Sequence, residues 1–280
     1  MIASSYQAFH AYLAEYVINP FYTSRLGKLK SLKLSTVLKK KNPYLFKAKN
    51  LERSQDLIES IVDAYLSSQE ETMFGNLLEG FAVYVSHALY GGFKPEKMPS
   101  VDLQFERDGK LYIVGIKSGT SWGNADQINA MKSNFKTAKE NFRKVGVTKE
   151  IVAVNGCIYG RDSHPLKDKL VIRVKGQPPE IRDEEPDKVY YKYAGQDFWS
   201  FISGDDYLYR EIIKPIDEEA RQKDAVFQKA YNAKVNEMTT EFNYNFLIDN
   251  LIDWEKLVDY VSKRREPKAT TAKRRKRRAD

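Results

Sequence analysis

The sequence predicts a mixed α/β fold, a central β-sheet flanked by helices, with helical regions at the N- and C-terminal ends. Three observations predict it. Apolar residues recur at helical spacing through the first ninety residues and again beyond 197. Strand-like runs cluster between 101 and 174, and two of them flank Asp108-Gly109, a strong hairpin signal. A chain of 280 residues, 42% hydrophobic and 12% aromatic, can bury a core and is too apolar for general disorder.

Taken in order, residues 5–18 place Phe9, Tyr12, Leu13 and Tyr16 on one helical face, and Pro20 is expected to stop that helix. Residues 25–49 alternate basic and apolar side chains and read as short helices and loops. An amphipathic helix follows over 54–66, and Ser67-Ser68 is read as capping a second helix over 69–89, which carries Glu79. Gly91-Gly92 ends it, since glycine accepts the left-handed geometry of a helix terminus. Strands are expected at 101–106, 111–118, 151–158 and 170–174, with a helix over 125–144 after the second, in the order α-β-β-α-β-β. Residues 176–196 read as a Pro- and acid-rich connection. Helices are expected over 197–213 (interrupted at Gly204), 216–239 and 246–264. The stretch 265–280 has no apolar periodicity and reads as a disordered basic tail.

The lone Cys157 excludes an internal disulfide framework and any multi-cysteine zinc site, and it reads as a small core residue. No apolar run approaches the ~18 residues needed to span a bilayer, and the start lacks the order of a signal peptide, so a soluble intracellular protein with no membrane partner is expected. The net charge of +8 is unevenly placed. Residues 1–50 hold nine Lys/Arg against Glu15, and residues 261–280 hold ten against Glu266 and Asp280, so the middle of the chain is acidic. A basic arm at each end of an acidic body points to nucleic acid.

The hairpin carries the chemistry. With a turn at 107–110, Asp102 at the start of one strand lies near Lys117 at the end of the other. Side chains alternate along a strand, so Gly115 and Lys117 share a face while Ile116 points into the core. A helical glutamate, a strand aspartate, an x-x-Lys strand, a helix and a strand in this order resemble the PD-(D/E)xK nuclease core. The stretches IVDAYLSSQEETMFGNLLEGFAVYV, VDLQFERDGKLYIVGIKSGTSWGNADQI and GQDFWSFISGDDYLYREIIKPI resemble one family of type II restriction endonucleases of that superfamily, over roughly residues 40–215.

The resemblance implies roles. Asp102 is the expected metal-binding aspartate, Lys117 the lysine that orients and helps deprotonate the attacking water, and Glu79 the helical glutamate at the metal. The backbone carbonyl of Ile116 completes the shell around Mg²⁺. The superfamily pattern has a carboxylate two residues before the lysine, where this chain has Gly115. The reading favoured here is a variant whose second carboxylate comes from elsewhere, foremost Glu79, with Asp126 and Glu106 behind it. An inactive form, or weak binding on Asp102 alone, are the alternatives.

In this reading residues 1–68 are a basic helical region for DNA contact and dimerisation, 69–196 the nuclease core and 197–264 a helical C-terminal region. The DNA-binding candidates are Lys39, Lys40, Lys41, Lys47 and Lys49, with Ser118, Asn124 and Gln127 after the catalytic strand. For Trp122 a core plug is the expected role. The resemblance implies a type II site-specific deoxyribonuclease of the prokaryotic cytoplasm, cutting double-stranded DNA to 5′-phosphate and 3′-hydroxyl ends. It also implies a homodimer and a cognate DNA methyltransferase as functional partner. A structure-specific repair nuclease and a DNA-binding protein with a dead core are the rival readings. His10 and His87 read as core or boundary histidines, His164 as a loop residue without partners, and no phosphate-binding glycine motif is present. Phe198, Trp199, Phe201, Leu208, Ile212 and Ile213 read as core, with Arg210 and Lys214 as candidates for the DNA face.

Overall fold

The computed structural model describes residues 2–161, 171–172, 180–181 and 190–264. His164, the tail 265–280, most of the 176–196 connection and part of the 170–174 strand lie outside the described residues. Internal contacts divide the chain into two compact units, one of residues 1–30 and 66–231, the other of 31–65 and 232–280.

The first unit is built on a four-stranded sheet whose strands follow one another across it in the order 103–107, 110–117, 150–157 and 190–194. Strand β1 (Leu103–Arg107) pairs antiparallel with β2 (Lys110–Lys117). The turn between them places Asp108 and Gly109 at positive φ (52° and 74°), the two-residue turn whose twist suits a hairpin. Strand β3 (Glu150–Cys157) runs parallel to β2, and β6 (Tyr190–Ala194) parallel to β3. The outer strand is therefore 190–194, inside what reads as a connection. Val171–Ile172 (β4) instead pairs with Glu180–Ile181 (β5) in a separate ladder.

Side-chain alternation sends β2 to two cores. Val114 and Ile116 join Phe81, Val85, Leu103, Phe198, Trp199 and Ile202 on one face. Leu111 and Ile113 join Met131, Phe135, Ala138 and Phe142 of α6 (Ala125–Lys144) on the other. Helices thus cover both faces, as the sequence predicts. Phe81 is fully buried among Phe9, Tyr12 and Trp199, whose ring centroids lie 5.6–6.0 Å away. Burial of such a ring contributes about 1.5–3 kcal/mol. Cys157 is buried, as expected.

The helices differ from the sequence reading in continuity. The N-terminal helix does not stop at Pro20. Here α1 (Ile2–Tyr12) passes through a π-helical turn (Leu13–Ile18) into α2 (Asn19–Ser31). The π-turn bond from Asn19 N–H to Ala14 O shifts the register so that Pro20 sits in the first turn of α2, where a missing N–H is tolerated. Likewise Ser67-Ser68 caps nothing: α5 is one helix from Ser54 to Tyr90, because serine is only mildly unfavourable inside a helix. It ends at Gly91, φ +67°. Residues 25–31 complete α2, and short helices α3 (Leu34–Lys40) and α4 (Pro43–Ala48) match the reading of the rest of 25–49.

Helix α7 (Gln196–Ser203) ends at Gly204 in the left-handed conformation, followed by α8 (Leu208–Glu211). The expected core residues there are buried except Ile213, which is exposed and opens α9 (Ile213–Phe246). That helix runs seven residues past the expected end. Where the last helix was expected to begin, Leu247–Ile248 (β7) and Leu251–Ile252 (β8) form a hairpin with Asp249 and Asn250 at positive φ. Asn and Asp tolerate that geometry, so LIDNLI is a turn sequence. Helix α10 (Trp254–Ser262) closes the second unit, its N-cap Asp253 accepting from Lys256 N–H. Buried Leu34, Val37, Phe46, Leu57, Ile61, Met238, Phe242 and Leu257 belong to that unit. Among the described residues no helix is long and apolar enough to cross a membrane.

Candidate active site

The open end of the β1–β2 hairpin assembles the site. Asp102 precedes β1, and its N–H donates to Val114 O at 2.8 Å, extending the ladder by one residue. Its carboxylate turns toward β2 and accepts from the Ile116 N–H through Oδ2 at 2.8 Å. Lys117 Nζ lies 4.0 Å from the same oxygen and 5.3 Å from the centre of the Trp122 ring. From α5, Glu79 faces the same place: Lys94 Nζ is 2.6 Å from Glu79 Oε1 and 3.6 Å from Asp102 Oδ1. The hydrogen bond to the Glu79 carboxylate holds the Lys94 ammonium above the usual lysine range; partial burial opposes this and Asp102 adds to it.

Glu79, Asp102 and Lys117, the three expected catalytic residues, are thus brought together. All three are partly buried, whereas Lys94 is 56% exposed. Lys94 follows Gly91-Gly92 and belongs to no spacing that sequence reasoning singled out. Backbone direction accounts for Ile116. Val114 O faces β1 and Lys117 O accepts from Ile158 N–H on the opposite side, so alternation puts the Ile116 carbonyl on the Asp102 edge.

Gly115 is explained by packing. A Cβ there would lie 2.7 Å from Ser100 O and 3.2 Å from Phe135 Cζ. Ser100 sits at φ 63°, and its hydroxyl accepts from Asn134 Nδ2 of α6, which holds that carbonyl in place. A carboxylate at 115 has no room. The lesser donors stand apart. Glu106 pairs with Lys149 at the far end of the hairpin. Asp126 lies in the first turn of α6, and among the described residues no group of three His, Cys, Asp or Glu side chains is placed to hold a metal ion. Among the described residues, two carboxylates with a backbone carbonyl on the same edge are the oxygen atoms brought together here.

The loop after Lys117 is fitted to its neighbours. Ser118 packs on Gly75 of α5, where a Cβ would fall 2.2 Å from the Ser118 hydroxyl oxygen. Asn124 and Gln127 form a reciprocal capping box at the start of α6, each backbone N–H donating to the other's side chain at 3.0 Å. Trp122 packs against the α6 core, as expected. In the second unit Lys39, Lys40, Lys47 and Lys49 lie over Tyr260, Tyr65, Trp254 and Phe46, and Lys41 donates to Ala64 O. Arg210 donates to Tyr209 and Lys214 to Glu211. His10 lies 3.6 Å from Glu211, and His87 Nδ1 is 3.1 Å from Gly92 O.

A protein-family model described as type II restriction endonuclease EcoO109I matches residues 9–224, well over half of the chain. The chain belongs to the EcoO109I family of type II restriction endonucleases. That membership supports a general nuclease role, and the hairpin, Glu79, Asp102, Lys117 and Lys94 all fall inside the matched stretch. No curated protein matches the chain.

Proposed function

We propose that this EcoO109I-family protein is a Mg²⁺-dependent, site-specific endonuclease with a PD-(D/E)xK-type centre, hydrolysing phosphodiesters of double-stranded DNA to 5′-phosphate and 3′-hydroxyl ends. One observation carries the reading: carboxylate oxygens of Glu79 and Asp102 converge on a single positive centre, with Lys117 at the other oxygen of Asp102. Two hard carboxylates with a backbone carbonyl on the same edge fit a small divalent cation that retains several waters, and the ammonium between them stands where such a charge is stabilised. Asp102, Glu79 and the Ile116 carbonyl would hold Mg²⁺, which supplies Lewis-acid polarisation of the scissile phosphate and charge stabilisation at the leaving oxygen.

The chain's own residues do the rest. The Ile116 N–H fixes the Asp102 carboxylate through Oδ2, so Oδ1 is oriented before substrate arrives. Lys117, set by the strand and flanked by Trp122, orients a water toward phosphorus and eases removal of its proton. The water oxygen bonds to phosphorus as the bond to the 3′ oxygen breaks; the proton lost by the attacking water passes to solvent, and the 3′ oxygen takes one from solvent and leaves as a hydroxyl.

Lys39, Lys40, Lys41, Lys47 and Lys49 supply phosphate contacts that position the duplex, and Ser118, Asn124 and Gln127 lie on the loop and helix start nearest the scissile bond. Cutting both strands of a symmetric site requires two equivalent centres, so the working form is a homodimer in a prokaryotic cytoplasm, beside a methyltransferase that protects the host site. Digestion of a sequenced plasmid with Mg²⁺, followed by end-mapping, tests the reading. Discrete fragments with 5′-phosphates support it; activity confined to branched or mismatched DNA, or none, refutes it.

A further inference from the structure

We propose that Lys94 is the resident cation of the two-carboxylate site, a latch that a divalent ion must displace before the site can work. The proposal rests on the nuclease reading above, because it concerns the same two carboxylates. Its ground is a division of labour at Asp102. Oδ2 is held by the Ile116 N–H and faces Lys117, while Oδ1 faces Lys94 together with Glu79 Oε1. The two oxygens that face Lys94 are those that would face a metal ion.

An ammonium 2.6 Å from Glu79 Oε1 fills the volume that a small cation with oxygen ligands at about 2.0–2.1 Å would need. The two cannot be held at once. Charge gives the same answer. The formal charges of Glu79, Asp102, Lys94 and Lys117 sum to zero. With a divalent ion and a scissile phosphate added and Lys94 withdrawn, the sum is again zero; with Lys94 retained it is +1.

Lys94 is built to leave. Its side chain is 56% exposed against 22% for Glu79 and 17% for Asp102, so it covers the acids from the solvent side. It sits just after Gly91 at φ +67° and Gly92, and its long, solvent-reaching stem can swing the ammonium out into water. The latch keeps two partly buried carboxylates neutralised until metal arrives, and it raises the metal concentration at which the site fills.

The test is direct binding of Mn²⁺ by calorimetry, without DNA, to the full-length wild type, Lys94→Met and Lys94→Arg, with melting temperatures recorded in parallel. Lys94→Met is expected to bind Mn²⁺ about tenfold more tightly than wild type, and Lys94→Arg about as wild type. Lys94→Met should also melt lower than wild type without metal and gain more on adding it. A wild type that binds while Lys94→Met binds no tighter overturns the latch and leaves the nuclease reading standing. If neither protein binds Mn²⁺, the two-carboxylate site is wrong and the latch falls with it. Should Lys94→Met fail to fold, the side-chain NMR signal of Lys94 in the wild type decides: it must shift on Mg²⁺ addition, and an unmoved signal overturns the proposal.

Discussion

Asp102 Oδ2 accepts a hydrogen bond from the Ile116 backbone N–H at 2.8 Å, so the strand that ends in Lys117 also aims the carboxylate that Lys117 faces. The carboxylate proposed to hold the metal and the lysine proposed to orient the water are thereby set by one piece of backbone. Asp102→Asn keeps an acceptor for that N–H but removes the charge. It is expected to abolish cleavage while melting near wild type. Asp102→Ala loses both and should also destabilise the fold by about 1–3 kcal/mol, the usual result of leaving a part-buried donor unpaired. Plasmid cleavage and thermal melting of the two variants check this.

Lys117 makes no comparable structural contribution. Lys117→Met is expected to retain folding and duplex binding and to lose about 10²–10⁴ in cleavage rate, the range of a lost acid–base group. A single-turnover rate beside a binding isotherm separates the two effects.

Placing a carboxylate at position 115, where the resembled motif has one, is expected to bring no activity. Gly115→Glu drives a Cβ to 2.7 Å from a backbone carbonyl that Ser100 and Asn134 hold in place. Gly115→Ala alone should cost about 1–3 kcal/mol by overpacking, and Gly115→Glu more, with no gain in rate. Denaturant unfolding of both variants is the measurement.

Much of the site was legible because hairpin geometry is local. Asp108-Gly109 sets the register, and the register brings Asp102 to Lys117. The α5 glutamate was legible through resemblance to a known family, not through spacing. Lys94 was not legible, since a cation fifteen residues after Glu79 obeys no period. The reason for Gly115 was hidden too, because it lies in Ser100 and Phe135, contacts made only in the folded chain. The sequence reading departs from the fold where punctuation is weak. Pro20 and Ser67-Ser68 read as stops, yet a register shift and a mild propensity left the helices unbroken. Conversely, the tyrosine-rich YYKYA passed as a connection although aromatic residues favour strands, and LIDNLI passed as helix although its Asp-Asn pair suits a tight turn.

Asn124 caps α6, so Asn124→Ala should lower stability by about 1 kcal/mol, and Asn124→Ser should recover most of it. Chemical unfolding measures the cap. A larger loss of DNA affinity than of stability would show that Asn124 also contacts the duplex.

Replacing one of Lys39, Lys40 or Lys47 with Gln should weaken binding to all duplexes alike and flatten the salt dependence by about one unit, as expected for a phosphate contact. Binding to specific and random duplexes across a salt series checks it.

The most direct test of the central claim compares end-mapped plasmid digestion by wild type, Glu79→Gln, Asp102→Asn and Lys117→Met in Mg²⁺, with folding verified for each. Discrete double-strand cuts by wild type, none by folded Glu79→Gln and Asp102→Asn, and cutting slowed at least about a hundredfold in folded Lys117→Met are expected. Cleavage at the wild-type rate by any one of them would contradict the assignment of Glu79, Asp102 and Lys117 as a single catalytic centre.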